Sequence, residues 1–202
     1  MKNYERYKNI TAEDYDKKTI MSYLCKIPSD KKILPLICQI KNKKILDAGV
    51  GTGFYAKILL EKNEVVGVDR NIHLCKLPIK LYEGDVTRLS QIFHYEKFDI
   101  VFSTWMTEYL SEPQLVSFLT EAGRVLNKNG LLITTFISNY GLGYGYVKLA
   151  KIIKKIDKYF YGVKQIQRLV ETAGYDNIEI INLNSYLKIP WACLVTAKRK
   201  IT

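Results

Sequence analysis

Ile45-Leu46-Asp47-Ala48-Gly49-Val50-Gly51-Thr52-Gly53-Phe54 decides how the rest of the chain is read. An apolar run enters a cluster of glycines. It leaves on FYAKILLE (54–61), where Phe54, Ile58 and Leu59 fall among the apolar positions of a helical period. The pattern predicts a buried strand, a tight glycine turn and then a helix. Glycines adopt backbone angles closed to other residues and let a ligand lie against the main chain. The helix start adds unpaired N–H groups and a positive dipole end, which suit a carboxylate or a phosphate. The spacing separates two ligand classes. A dinucleotide turn runs G-x-G-x-x-G, whereas here the order is G-x-G-x-G, with Phe54 where the third dinucleotide glycine would fall. Asp47 ends the strand on a carboxylate, which attracts a cationic amine and repels a pyrophosphate. A ligand with an amino-acid end therefore fits better than a dinucleotide.

The alternation continues outward from this turn. Val65–Asp69, Ile79–Tyr82 and Phe98–Phe102 read as the second, third and fourth strands. Gln114 to Leu126 reads as a helix, opened by Ser111 or Glu112, with Pro113 early, where its missing N–H costs nothing. Asn127-Lys128-Asn129-Gly130 is a helix-stop signature with Gly130 making the turn, and Leu131–Phe136 is a fifth strand. In the tail, Val163 to Ala173 reads as a helix closed by Gly174. Asn177–Asn184 and Ala192–Lys198 then read as strands joined by a loop that holds Pro190, an antiparallel hairpin at the sheet edge. Strands separated by helices imply a parallel sheet covered on both faces. The expected fold is α/β, a three-layer sandwich around a seven-stranded, mostly parallel sheet with an antiparallel C-terminal strand. One domain, 1–202, would comprise a helical Tyr-rich cap (1–40), a binding core (41–136), an insertion (137–161) and a C-terminal helix with hairpin (162–202).

Asp47-x-Gly49-x-Gly51-x-Gly53 resembles the first motif of the class I, Rossmann-like methyltransferases. Four further stretches follow in that family's order. Asp69 matches the acidic residue that binds the ribose hydroxyls, and a carboxylate can accept both hydrogen bonds of a cis-diol. Asp85 in Glu83-Gly84-Asp85-Val86 is similar to the acidic residue that contacts adenine, with Val86 against the ring. Phe98 to Trp105 resembles the fourth-strand motif, and Arg124 to Leu132 the R-x-L-x-x-G-G-x-L signature, with Asn129 replacing its first glycine. The resemblance covers roughly half of the chain. It implies S-adenosyl-L-methionine as cofactor and S-adenosyl-L-homocysteine as product. It places Asp47, Ala48, Gly49, Gly51, Gly53, Asp69, Arg70, Asp85, Val86, Ser103 and Thr104 around the cofactor. In similar enzymes an N-terminal segment closes over the methionine end, which implies Tyr15 out of the set Tyr4, Tyr7 and Tyr15.

The acceptor is less legible. The exit of the fourth strand reads Ser103-Thr104-Trp105-Met106-Thr107-Glu108-Tyr109. It lacks the Asn/Asp-Pro-Pro-aromatic run of enzymes that methylate base amines, and it has no Pro-Cys pair for pyrimidine chemistry. Glu108 and Tyr109 lie nearest the expected acceptor side and are the candidates for a direct role. His73 and His94 read as loop residues. YVKLAKIIKKIDKYF (146–160) reads as a basic amphipathic helix after a Gly/Tyr loop (139–146). Ile152, Ile153, Ile156 and Phe160 lie near one face, and Lys148, Lys151, Lys154, Lys155 and Lys158 largely around the other. It could be a solvated surface helix, a lid over an apolar substrate or a contact to an anionic membrane.

Composition narrows the setting. Hydrophobic residues make up 48% and charged ones 25%, a globular profile with no run near the roughly 20 apolar residues a membrane helix needs. The N-terminal stretch has no secretory apolar core, so a cytoplasmic protein is expected. Cys25, Cys38, Cys75 and Cys193 form no C-x-x-C pair and read as buried free thiols, with no metal site. A net charge of +11 invites a nucleic-acid or anionic-membrane partner, although a Lys/Asn/Ile/Tyr-rich composition accounts for it equally well. The expected function is methyl transfer to a small-molecule or lipid-like acceptor. An RNA or protein methyltransferase and a non-enzymatic cofactor-binding module are the alternatives.

Overall fold

Ile45 and Leu46 pack into two different cores, and that alternation builds the molecule. In the computed structural model, which describes residues 22–154 and 157–200, seven strands form one sheet. They are β1 (Lys44–Ala48), β2 (Glu64–Asp69), β3 (Lys80–Glu83), β4 (Phe98–Ser103), β5 (Leu126–Ile137), β6 (Tyr175–Asn184) and β7 (Pro190–Arg199). The order across the sheet is β3-β2-β1-β4-β5-β7-β6. The first five strands pair in parallel, while β7 runs antiparallel to both β5 and β6. The tail therefore makes a hairpin whose second strand lies inside the sheet and whose first strand is its edge.

Helices cover both faces. On one side are α1 (Ile27–Cys38), α2 (Phe54–Leu60) and α5 (Gly141–Lys154); on the other are α3 (Leu89–Phe93), α4 (Glu112–Val125) and α6 (Val163–Thr172). Ile33, Ile37, Tyr55 and Leu59 meet Ile45, Ile100, Phe102 and Ile133 in the first core. Leu115, Phe118 and Leu119 meet Leu46, Val66 and Val101 in the second. Each strand thus feeds both layers through its two-residue period, and the result is the expected three-layer arrangement. None of the described helices is long and apolar enough to cross a membrane.

Four expectations are corrected. Asn127–Gly130 is not a free turn but a bulged excursion within β5, between the pairs Phe98↔Leu126 and Ile100↔Leu131. Asn129 takes the left-handed conformation there (φ +61°), and the Asn127 amide is held by Asp99 at 3.0 Å. Gly130 serves close packing, since an added methyl would lie 2.9 Å from the Asn127 carbonyl oxygen. The Gly/Tyr stretch is not a loop: α5 begins at Gly141, ends by Lys154, and leaves Lys158 and Phe160 in an extended strap. Gly141 and Gly143 admit neighbouring backbone, a packing role that sequence alone reads as a turn signal. Pro190 opens β7 opposite Asn184 instead of sitting in the loop. Cys38 is exposed, and the other three thiols are buried.

Candidate active site

The parallel register carries the glycine turn over the end of β2. The amides of Gly49 and Val50 both donate to the Val68 carbonyl, at 2.8 and 3.2 Å. Gly49, Gly51 and Gly53 have φ of +84°, +53° and +83°, a left-handed path that only glycine follows without strain. Space is equally restrictive: a methyl group on Gly49 would lie 2.6 Å from Met106 Cγ.

Two acids face this turn. Asp69 Oδ2 accepts the Gly51 N–H and Oδ1 the Asn71 N–H, both at 2.9 Å. The side chain expected to meet ribose therefore also positions the turn. A carboxylate has about four lone-pair sites, so acceptor capacity remains for a diol. Asp47, at the end of β1, is 3% exposed. Burial first, and the charge of Asp69 second, push its carboxyl up to about 8. Among the described residues no Lys, Arg or His forms an ion pair with it. A buried acid beside a second acid is the environment a ligand ammonium would relieve.

Asp85 caps the short turn Val86–Arg88. Its Oδ1 accepts from Thr87 N at 2.9 Å and Thr87 Oγ1 at 2.8 Å, while the Arg70 guanidinium pairs with Oδ2 at 2.5 Å. Burial opposes its ionisation, but these hydrogen bonds outweigh it and hold the carboxyl below its ordinary range. Arg70 is thus placed by Asp85, and Val86 is buried in the core beneath them. Ser103 is wholly buried and donates to the Ala48 carbonyl at 2.7 Å, tying β4 to the end of β1; Thr104 is buried beside it. Tyr15 lies outside the described residues, as do Tyr4 and Tyr7.

Beyond β4 the structure assembles side chains that the sequence did not bring together. Trp105, at a left-handed φ of +57°, stacks on Trp191 with centroids 4.9 Å apart and 19° between the planes. Trp105 Nε1 donates to the Tyr55 hydroxyl at 2.8 Å, which donates to Asp30 at 2.5 Å. Trp191 Nε1 donates to Ser29 at 2.9 Å and meets the Tyr146 ring edge-on at 6.1 Å. Glu108 and Tyr109 lie on the short turn Thr107–Tyr109, tied down by the Thr107 hydroxyl donating to the Thr135 carbonyl. Lys158 reaches this turn from the strap. Its ammonium lies 3.4 Å from Glu108 Oε1, donates to the Tyr146 hydroxyl at 2.6 Å and sits 4.4 Å from the Tyr109 ring centroid. His73 and His94 are exposed. No local signal marks Trp191 or Lys158, because strands and straps distant in sequence deliver them.

Comparison with known proteins agrees with this geometry. Residues 46–134 match the family model of a methyltransferase domain. A malonyl-[acyl-carrier protein] O-methyltransferase of Hamiltonella defensa is 26% identical over 132 residues, 63% of this chain and 49% of the relative. The chain thus spans about half the length of that curated relative. Two crystal structures share the fold. One is a SAM-dependent methyltransferase of Thermotoga maritima, with TM-score 0.71 and 18% identity over 99% of this chain and 100% of that one. The other is a magnesium protoporphyrin IX methyltransferase of Synechocystis PCC 6803 with bound SAH, with TM-score 0.69 and 12% identity over 98% and 94%. The family model runs from Leu46 in β1 to Thr134 in β5, the same run that carries the glycine turn and the two acids facing it, and over that run the chain is similar to a methyltransferase domain.

Proposed function

We propose that the chain is an active enzyme that transfers a methyl group from S-adenosylmethionine to a small-molecule or lipid-like acceptor. The observation that carries this reading is Asp47, a buried carboxyl with no cationic partner among the described residues, beside the left-handed glycine turn that Asp69 anchors. The cofactor supplies an electrophilic methyl on a sulfonium, whose loss leaves S-adenosylhomocysteine. Asp47 would take the ammonium and Asp69 the ribose hydroxyls. The glycine turn with Ala48 would carry the methionine end, and Asp85, Arg70 and Val86 would border the adenine. Ser103 and Thr104 would flank the sulfonium through the backbone they hold.

Calorimetric titration with S-adenosylmethionine, S-adenosylhomocysteine and NAD tests the cofactor. Micromolar affinity for the adenosyl compounds and none for NAD is expected, with Asp69→Ala nearly abolishing it. Wild-type affinity in that variant would remove Asp69 from the site.

The outer side of α5 supports the lipid-like part of the reading. Tyr144, Leu149 and Ile152 are exposed there, the last at 75%, beside the exposed lysines Lys148 and Lys151. We propose that this face rests on anionic lipid, with lysines at the headgroups and apolar side chains below them.

A further inference from the structure

We propose that Glu108 is the acceptor-binding carboxylate of this enzyme, and that it selects an aromatic acceptor bearing a hydroxyl or amine and takes that group's proton. The inference rests on the methyltransferase reading and names the substrate class of that site.

Glu108 is only 5% exposed along its side chain. Oε1 faces Lys158 at 3.4 Å, but Oε2 is buried and meets no hydrogen-bond donor among the described residues. Buried polar atoms are nearly always paired, and leaving one unpaired is costly. Lys158, 6% exposed, does not supply the missing donor; it is shared among Glu108 Oε1, the Tyr146 hydroxyl and the faces of the Tyr109 and Tyr146 rings. The position is also telling. Met106, two residues before Glu108, lies against Gly49 of the glycine turn, so one short segment borders both the cofactor turn and the orphaned oxygen. Tyr109 and Tyr146 flank the Lys158 ammonium beside it, and Tyr146 leads on to Trp191, which stacks on Trp105.

This chemistry discriminates. An unpaired carboxylate oxygen in a buried setting attracts O–H and N–H and repels a second carboxylate or a phosphate. The rings on this turn and across Lys158 favour a planar partner. In the proton step the acceptor's O–H or N–H bond breaks and an Oε2–H bond forms. The electron pair stays on the acceptor's heteroatom, which thereby becomes the nucleophile. Glu108 returns to its ionised form by releasing that proton to solvent after the product leaves. The strap meets the Glu108 turn at Lys158 and through the Tyr159 N–H, which donates to the Glu108 carbonyl at 2.7 Å.

The chain's two tryptophans, Trp105 and Trp191, both stand at this surface, so their emission reports on it alone. The experiment titrates protein saturated with S-adenosylhomocysteine against phenol, anisole and benzoate and follows that emission. Phenol should bind about tenfold or more tighter than anisole, the worth of one charge-assisted hydrogen bond, and benzoate should be weakest. Glu108→Gln should erase the phenol preference while calorimetric affinity for S-adenosylhomocysteine stays at the wild-type value. Equal binding of phenol and anisole, preference for benzoate, absence of phenol binding, or a preference that survives Glu108→Gln would each overturn the proposal. Should the variant not fold, the wild-type phenol-to-anisole ratio decides alone. Failure of the adenosyl compound to bind in calorimetry is a separate result that sinks the cofactor reading instead.

Discussion

Asp47 carries a carboxyl whose ionisation its surroundings oppose. Its carboxyl, pushed to about 8 by burial and by Asp69, holds a proton in the folded chain from about pH 4 to 8, where the unfolded chain has released it. The folded state binds more protons across that window, so this residue's contribution to stability falls as pH rises through it. Binding an ammonium requires the ionised form, so cofactor affinity moves the other way. Calorimetry should find it strengthening up to about tenfold per unit as pH climbs toward 8. Asp47→Asn should melt higher than wild type at pH near 8, lose the pH slope and bind the cofactor about a hundredfold or more weakly. A flat pH response in the wild type would remove Asp47 as the ammonium partner. Residues of this kind are legible because strand, acid and glycines are contiguous in sequence. Asp85 is legible as an acid just after the third strand, but sequence does not say that Thr87 and Arg70 occupy its oxygens. Lys158 was hidden: it reads as one of five lysines on a solvated helix face, and only the return of the strap onto the Glu108 turn buries it.

Among the elements, α5 separates two meanings of glycine. A methyl group on Gly143 would lie 2.3 Å from the Trp191 carbonyl oxygen and 2.5 Å from that of Ser138, whereas one on Gly145 would meet nothing within 4 Å. Gly143→Ala must lift the helix off β7 and should cost about 1–3 kcal/mol in urea unfolding. Gly145→Ala should stabilise by about 0.5–1 kcal/mol, as alanine does in an open helix position. Equal stability of the two variants would mean that Gly143 is not a packing contact. The same glycines explain why the start of this helix, 141–145, reads as a loop in the sequence: three of them in five residues signal a turn, although two of them, Gly141 and Gly143, are there because backbone packs against them. The strands, whose burial period is intrinsic, were read to within a few residues, apart from the bulge at Asn127–Gly130 that lengthens β5 at its start.

For the whole molecule the charge of +11 becomes informative only once faces are assigned. If α5 is the face that meets lipid, the protein should sediment with phosphatidylglycerol vesicles and not with phosphatidylcholine ones, and release as salt rises. Leu149→Ser with Ile152→Ser should weaken that binding about tenfold or more at constant charge, since two exposed apolar side chains are lost. Binding unaffected by the pair would place the contact elsewhere. The parallel order of the first five strands followed from the alternation of elements, whereas the placement of β7 between β5 and β6 is a tertiary fact. It also bears on synthesis. A ribosome delivers β6 before β7, yet β6 has no neighbour in the sheet except β7. During translation, therefore, β5 presents an open edge and β6 waits unpaired until residue 199 has emerged, a nascent species exposed to wrong strand pairing and to chaperones. Completing the sheet then requires β7 to enter between β5 and β6.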